Sequence, residues 1–133
     1  MFLNCLNNKQ KKLFIELAIK AAESNGIVPI EQKNMLKSFA LEMNIEPQYT
    51  SNSDVELIIS ELKSISTEKE LRVILFEILG IIVSDSVFDE KERAFVNHWV
   101  EMCDFDKSNV DKMVELLQKY SNLYTEIVNF VRL

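Results

Sequence analysis

Thr67-Glu68-Lys69-Glu70-Leu71-Arg72-Val73-Ile74-Leu75-Phe76-Glu77-Ile78-Leu79-Gly80-Ile81-Ile82-Val83 is the stretch on which the fold turns. It opens on Thr67 and Glu70, a capping box in which cap and third residue satisfy each other's free N–H groups. Leu71, Ile74, Leu75, Ile78 and Ile82 then recur at helical spacing. From Val73 to Val83 the run is apolar nearly all round, broken by Glu77. A bilayer span needs roughly 20 such residues, so this one is too short to cross. A short helix apolar on almost every side reads instead as the buried centre of a bundle.

Its neighbours carry the same period. Upstream, Ser53-Asp54-Val55-Glu56 reads as a second capping box, opening a helix whose core side is Val55, Ile58, Ile59, Leu62 and Ile65. Further back, Leu13, Phe14, Leu17, Ala18, Ala21 and Ala22 stripe a helix over about Asn7 to Ser24. Asn25-Gly26 ends that helix, since Gly tolerates the left-handed conformation. Pro29 suits the first turn of the next, which carries Leu36, Phe39, Ala40 and Met43 and stops before Pro47.

Downstream, a helix from Asp89 carries Phe95, Val96, Trp99 and Cys103, and Asp106 caps another with Val110, Met113, Val114 and Leu117. The last dozen residues either continue that helix or form a seventh. Gly and Pro number only two each, which favours long helices joined by few loops.

The two helical pairs resemble each other. Sixty positions separate Asn25-Gly26-Ile27-Val28 from Asp85-Ser86-Val87-Phe88, as they separate Leu13-Phe14 from Val73-Ile74 and Leu36, Phe39 and Met43 from Val96, Trp99 and Cys103. Leu17 against Glu77 is the clear mismatch. The expectation is an all-α, compact helical bundle of about six or seven helices, one domain over residues 1–133. It is built from two repeats of a helix–loop–helix unit about a pseudo-two-fold axis. Repeat one covers about 10–46, a connecting helix 53–66, repeat two about 70–106 and the C-terminal helices 107–133. Ala18, Ala21 and Ala22 against Gly80 predict a close crossing of the first and central helices.

Charge limits the partners. Of 133 residues, 21 are acidic and 15 basic, for a net charge of −6. A nucleic-acid binder presents a basic face to phosphates, and the one short cluster, Lys9, Lys11 and Lys12, reads as a solvated helix face. Cys5 and Cys103 lack metal-ligand spacing and read as reduced thiols. The opening residues read as neither signal peptide nor lipoprotein leader, so the cytoplasm is the expected compartment, with no direct membrane insertion.

No nucleophile motif, phosphate loop or zinc pattern is legible, and the single histidine, His98, reads as a half-exposed helix residue. A non-enzymatic role is expected. Asp85 to Glu92 places four carboxylates in eight residues at a helix N-terminus, a density of oxygen that can hold Ca²⁺ or Mg²⁺. Capping alone employs Asp89 and Glu92 but leaves Asp85 without a structural task. An EF-hand is rejected, because its first and third ligand positions would be Ile81 and Val83.

This twice-occurring loop resembles that of the TerB-like domains, the family of the tellurite-resistance protein TerB and the N-terminal domain of the DnaJ-like co-chaperone DjlA. The motif reads Ala22-Glu23-Ser24-Asn25-Gly26-Ile27-Val28-Pro29-Ile30-Glu31-Gln32 and then Ile82-Val83-Ser84-Asp85-Ser86-Val87-Phe88-Asp89-Glu90-Lys91-Glu92. The resemblance covers roughly residues 10 to 120. It implies a helical bundle in a bacterial stress or tellurite-resistance-type system gathered at the inner membrane, and a divalent cation on the motif acids.

Carried over by position, Asp85 and Glu92 match those acids, while Asn25 and Gln32 are amides where acids are usual. Two readings result. One is a TerB-like interaction module with a protein partner, itself membrane-associated, in which the aromatic C-terminal segment of Tyr120, Tyr124 and Phe130 either finishes the core or forms an exposed patch. The other is a cation-binding protein using Asp85, Asp89 and Glu92 with the amide oxygens of Asn25 and Gln32.

Overall fold

The computed structural model describes residues 1–24, 29–82 and 90–132, without the side chains of Pro29, Lys91 and Glu92. Asn25, Asp85 and Asp89 therefore lie outside the described residues. After a 3-10 turn at Leu3–Cys5 come α1 (Asn8–Ser24), α2 (Pro29–Met43), α3 (Val55–Ile65), α4 (Glu68–Ile82), α5 (Glu90–Cys103) and α6 (Lys107–Val131). The described residues are all-helical, with no strand, and form one bundle around a continuous apolar core.

Local chemistry sets the helix ends. At α4 the capping box closes in both directions: the Glu70 N–H donates to Thr67 Oγ1 at 3.2 Å and the Thr67 N–H to Glu70 Oε1 at 2.8 Å. The Thr67 N–H holds the Glu70 carboxyl below its usual pKa. Asp106 caps α6, accepting from the Ser108 N–H at 2.9 Å. At α3 the sequence expectation is off by one residue. Asp54 accepts the Glu56 N–H at 3.0 Å, and the Ser53 hydroxyl points away to Glu16 Oε1 at 3.3 Å. Asp reaches N2 from the adjacent position, so the Ser-x-x-Glu spelling is bypassed.

A second reciprocal box, which the sequence did not announce, opens α1. Gln10 and Asn7 exchange N–H and side-chain oxygen at 2.9 Å each way at the start of α1. Gln10 is fully buried, and its amide also donates to Ser66 Oγ at 2.9 Å.

The 60-residue offset survives in the local geometry. Helices start at Asn8 and Glu68 and end at Met43 and Cys103. Asn44 and Asp104 follow those ends with φ of 56° and 57°. The next N–H then reaches back five residues, Ile45 to Ala40 at 3.0 Å and Phe105 to Val100 at 3.1 Å. Both are Schellman closures, in which a left-handed residue satisfies carbonyls the helix would leave open.

α1 lies at the centre, packing on α2, α3, α4 and α5. Phe14 and Trp99 are fully buried, and Phe14 meets Phe39 edge to face at 5.3 Å. The Trp99 indole N–H has no acceptor among the described residues. On α4, Leu71, Ile74, Leu75, Ile78, Leu79, Ile81 and Ile82 are buried, and the helix packs on α1, α5 and α6. Each buried Leu or Ile there contributes about 1.5–3 kcal/mol.

Two expectations about α4 change. Glu77 is buried and ion-paired with the N-terminal ammonium of Met1. Its Oε1 accepts the Phe2 N–H at 2.8 Å and lies 2.7 Å from the Met1 amino nitrogen. The N-terminal stretch covers it. Gly80 does not face Ala18, Ala21 and Ala22 across a crossing. A Cβ on Gly80 would instead meet Leu117 Cδ2 of α6 at 3.8 Å.

Candidate interaction surface

The last dozen residues do not form a seventh helix; α6 runs unbroken for 25 residues, about 37 Å at 1.5 Å per residue. Its two halves differ. Val110 is buried, and Met113, Val114 and Leu117 pack against the core. Beyond them the helix extends past what the body can cover, so Tyr120, Tyr124 and Phe130 are 54%, 59% and 79% exposed. These aromatics do not finish the core.

They belong to a larger face than the sequence reading singled out. Leu116, Leu123, Ile127 and Val131 are exposed with them. Val110, Leu117, Tyr124 and Val131 stand seven residues apart, as do Met113, Tyr120 and Ile127. This is the spacing of apolar positions in a helix that packs along another helix. A second row at the same spacing, Leu116, Leu123 and Phe130, widens the stripe. A heptad count over residues 110–131 would have found it; counting aromatics alone did not.

Where α6 leaves the body it forms one wall of a groove of about 460 Å³, lined by Phe2, Phe76, Gly80, Leu117, Tyr120 and Tyr124. The Tyr120 and Tyr124 rings stack at 6.4 Å, and Phe2 meets Phe76 edge-on at 6.0 Å. The absent side chain of Gly80 leaves this groove open. A contiguous exposed apolar face of this kind is a candidate contact site for another apolar surface.

A second cleft, of about 530 Å³, lies among α3, α4 and the start of α6, with Lys63, Arg72, Asp104 and Asp106 at its lining. The Cys103 thiol opens onto it. Burial pushes that thiol up in pKa, against the weaker opposing pull of Lys63, and so keeps it protonated and a poor nucleophile.

The expected cation ligands are not brought together within the described residues. Asn25, Asp85 and Asp89 fall outside them, as does the Glu92 side chain. Gln32, half-buried on α2, lines a shallow cavity of about 240 Å³ with Lys33, Leu36 and Tyr49, and the Lys33 ammonium sits 5.2 Å from the Tyr49 ring centre. Among the described residues no three of His, Cys, Asp and Glu converge on a point. His98 lies 3.3 Å from Glu56 Oε1, both largely in solvent. No described helix is long and apolar enough to cross a membrane.

No family model, characterised protein or solved structure matches this chain.

Proposed function

We propose that the chain is a non-catalytic interaction module, TerB-like in plan, that engages a protein partner through the second half of α6. The observation that carries this reading is the exposed heptad stripe from Leu116 to Val131, continuous with the groove beside Phe76 and Gly80. Helices 25 residues long are not held extended by propensity alone; most of their stability comes from packing an apolar face. Here the second half of that face stays 46–79% exposed. A helix-in-groove mode, read through anchors at heptad spacing, fits both features. A place in a bacterial stress or tellurite-resistance-type assembly belongs to the same proposal and is supported by the loop motifs.

Site-specific photocrosslinking in the expressing cell tests it. A benzoylphenylalanine at Tyr124 should yield a discrete adduct of higher mass, and the same probe at exposed Lys69 on α4 should not. No adduct from Tyr124, or equal adducts from both sites, would contradict the reading.

A further inference from the structure

Resting on that reading, we propose that the partner seated on α6 is α6 of a second copy of this chain, packed antiparallel about a two-fold axis beside Leu123. The stripe is complementary to its own reverse. With Leu123 of each copy at the axis, Leu116 meets Phe130 of the second copy, and Tyr120 meets its Ile127. Small side chains thus face large ones at both ends, and the same contacts are made twice, as a two-fold interface requires.

The flanking charges select the same arrangement. Lys119 lies one helical turn from Leu116 and Leu123, and Glu126 one turn from Leu123 and Phe130, so both border the outer row. Antiparallel packing brings Lys119 beside Glu126 of the second copy, twice over. Parallel, in-register packing would align Lys119 with Lys119 and Glu126 with Glu126. Farther out, the same two-fold brings Glu115, which also pairs with Lys119 of its own helix at 2.9 Å, within one residue of level with Arg132.

The area is sufficient. Seven large apolar residues from Leu116 to Val131 are 46–79% exposed. At roughly 200 Å² each they offer on the order of 800 Å² per chain, the size of one side of a stable interface. A lipid surface suits the face less well. An interfacial helix carries a basic polar side, whereas here Asp111, Glu115 and Glu126 are mixed with Lys112, Lys119 and Arg132, on a chain of net charge −6.

Sedimentation equilibrium of the full chain over a range of concentrations is the test. The wild type should sediment at twice 15.5 kDa. Leu123→Glu, which sets two carboxylates against each other at the axis, should give a monomer with unchanged helicity by circular dichroism. Lys119→Glu should weaken the dimer roughly tenfold or more, and adding Glu126→Lys to it should restore the affinity, which a parallel pair would not show.

A wild type monomeric at every concentration, whether or not it binds phosphatidylglycerol vesicles or crosslinks to a different protein, overturns the second copy. A dimer indifferent to Leu123→Glu overturns it too. The wider interaction reading fails separately, if Leu123→Glu lowers the melting temperature of a monomeric wild type, because the face would then be internal.

Discussion

α4 and the second half of α6 both carry long runs of large apolar residues, and they meet opposite fates. Between Leu71 and Ile82, α4 buries seven Leu and Ile side chains, and the helix packs on α1, α5 and α6. From Tyr120 to Val131, α6 carries as clear a stripe and leaves it in solvent. Apolar content alone does not decide burial. What decides it is whether the chain returns with a surface to cover the stripe, and along the far half of α6 no described element does so.

Identical substitutions at Ile78 and Ile127 should break the symmetry of that comparison most sharply. Ile78 is fully buried, so Ile78→Ala should lower unfolding free energy by about 2–5 kcal/mol. Ile127→Ala, at 52% exposure, should change it by less than about 0.5 kcal/mol in dilute solution. Urea melts of the two variants at one low concentration give both values. Equal losses would mean that the far half of α6 is core.

A smaller effect separates the two glutamates. Glu77→Ala removes the acceptor of the Phe2 N–H and should cost about 1–3 kcal/mol, detectable as a lower melting temperature. Glu126→Ala, on the exposed half of α6, should leave the monomer's melt unchanged. If Glu77→Ala melts like the wild type, the N-terminal stretch is not docked on α4 as described.

Gly80→Ala sharpens the boundary between the two helices. The added Cβ meets Leu117 at ordinary contact distance, 3.8 Å. The gain in helix propensity should therefore appear as a stabilisation of about 0.5–1 kcal/mol in the same urea melts. A loss would show the α4–α6 contact to be tighter than this geometry.

Much of the fold was legible in the sequence, because the signals involved are local. The Thr67–Glu70 box, the Asp106 cap and the girth of α4 each depend on residues within a turn or two of one another. The helix ends after Met43 and Cys103 were bracketed for the same reason. What periodicity cannot supply is the identity of the facing surface. It placed Gly80 on a helix but not opposite Leu117, and it marked Glu77 as a break without showing the N-terminal residues that cover it.

It also aligned Val110, Leu117, Tyr124 and Val131 on one face while saying nothing of where the body ends along them. Gln10 was missed because Asn-x-x-Gln is a rarer spelling of the capping box than Ser or Thr with Glu. Of the five residues expected to hold a cation, Gln32 alone has a described side chain, which lines a shallow cavity with Lys33, Leu36 and Tyr49. The exposed face of α6, by contrast, was half legible: Tyr120, Tyr124 and Phe130 stand out in the sequence, and the aliphatic row of Leu116 and Leu123 that completes it does not.

Amide hydrogen exchange of the full chain, run dilute and then concentrated, tests the central claim most directly. The account predicts that in dilute solution amides of residues 120–131 exchange far faster than those of 71–82, which should be lost only through global opening. Raising the concentration should slow residues 120–131 selectively, as their apolar face becomes covered. Protection of residues 120–131 equal to that of α4 in dilute solution, unchanged by concentration, would contradict it.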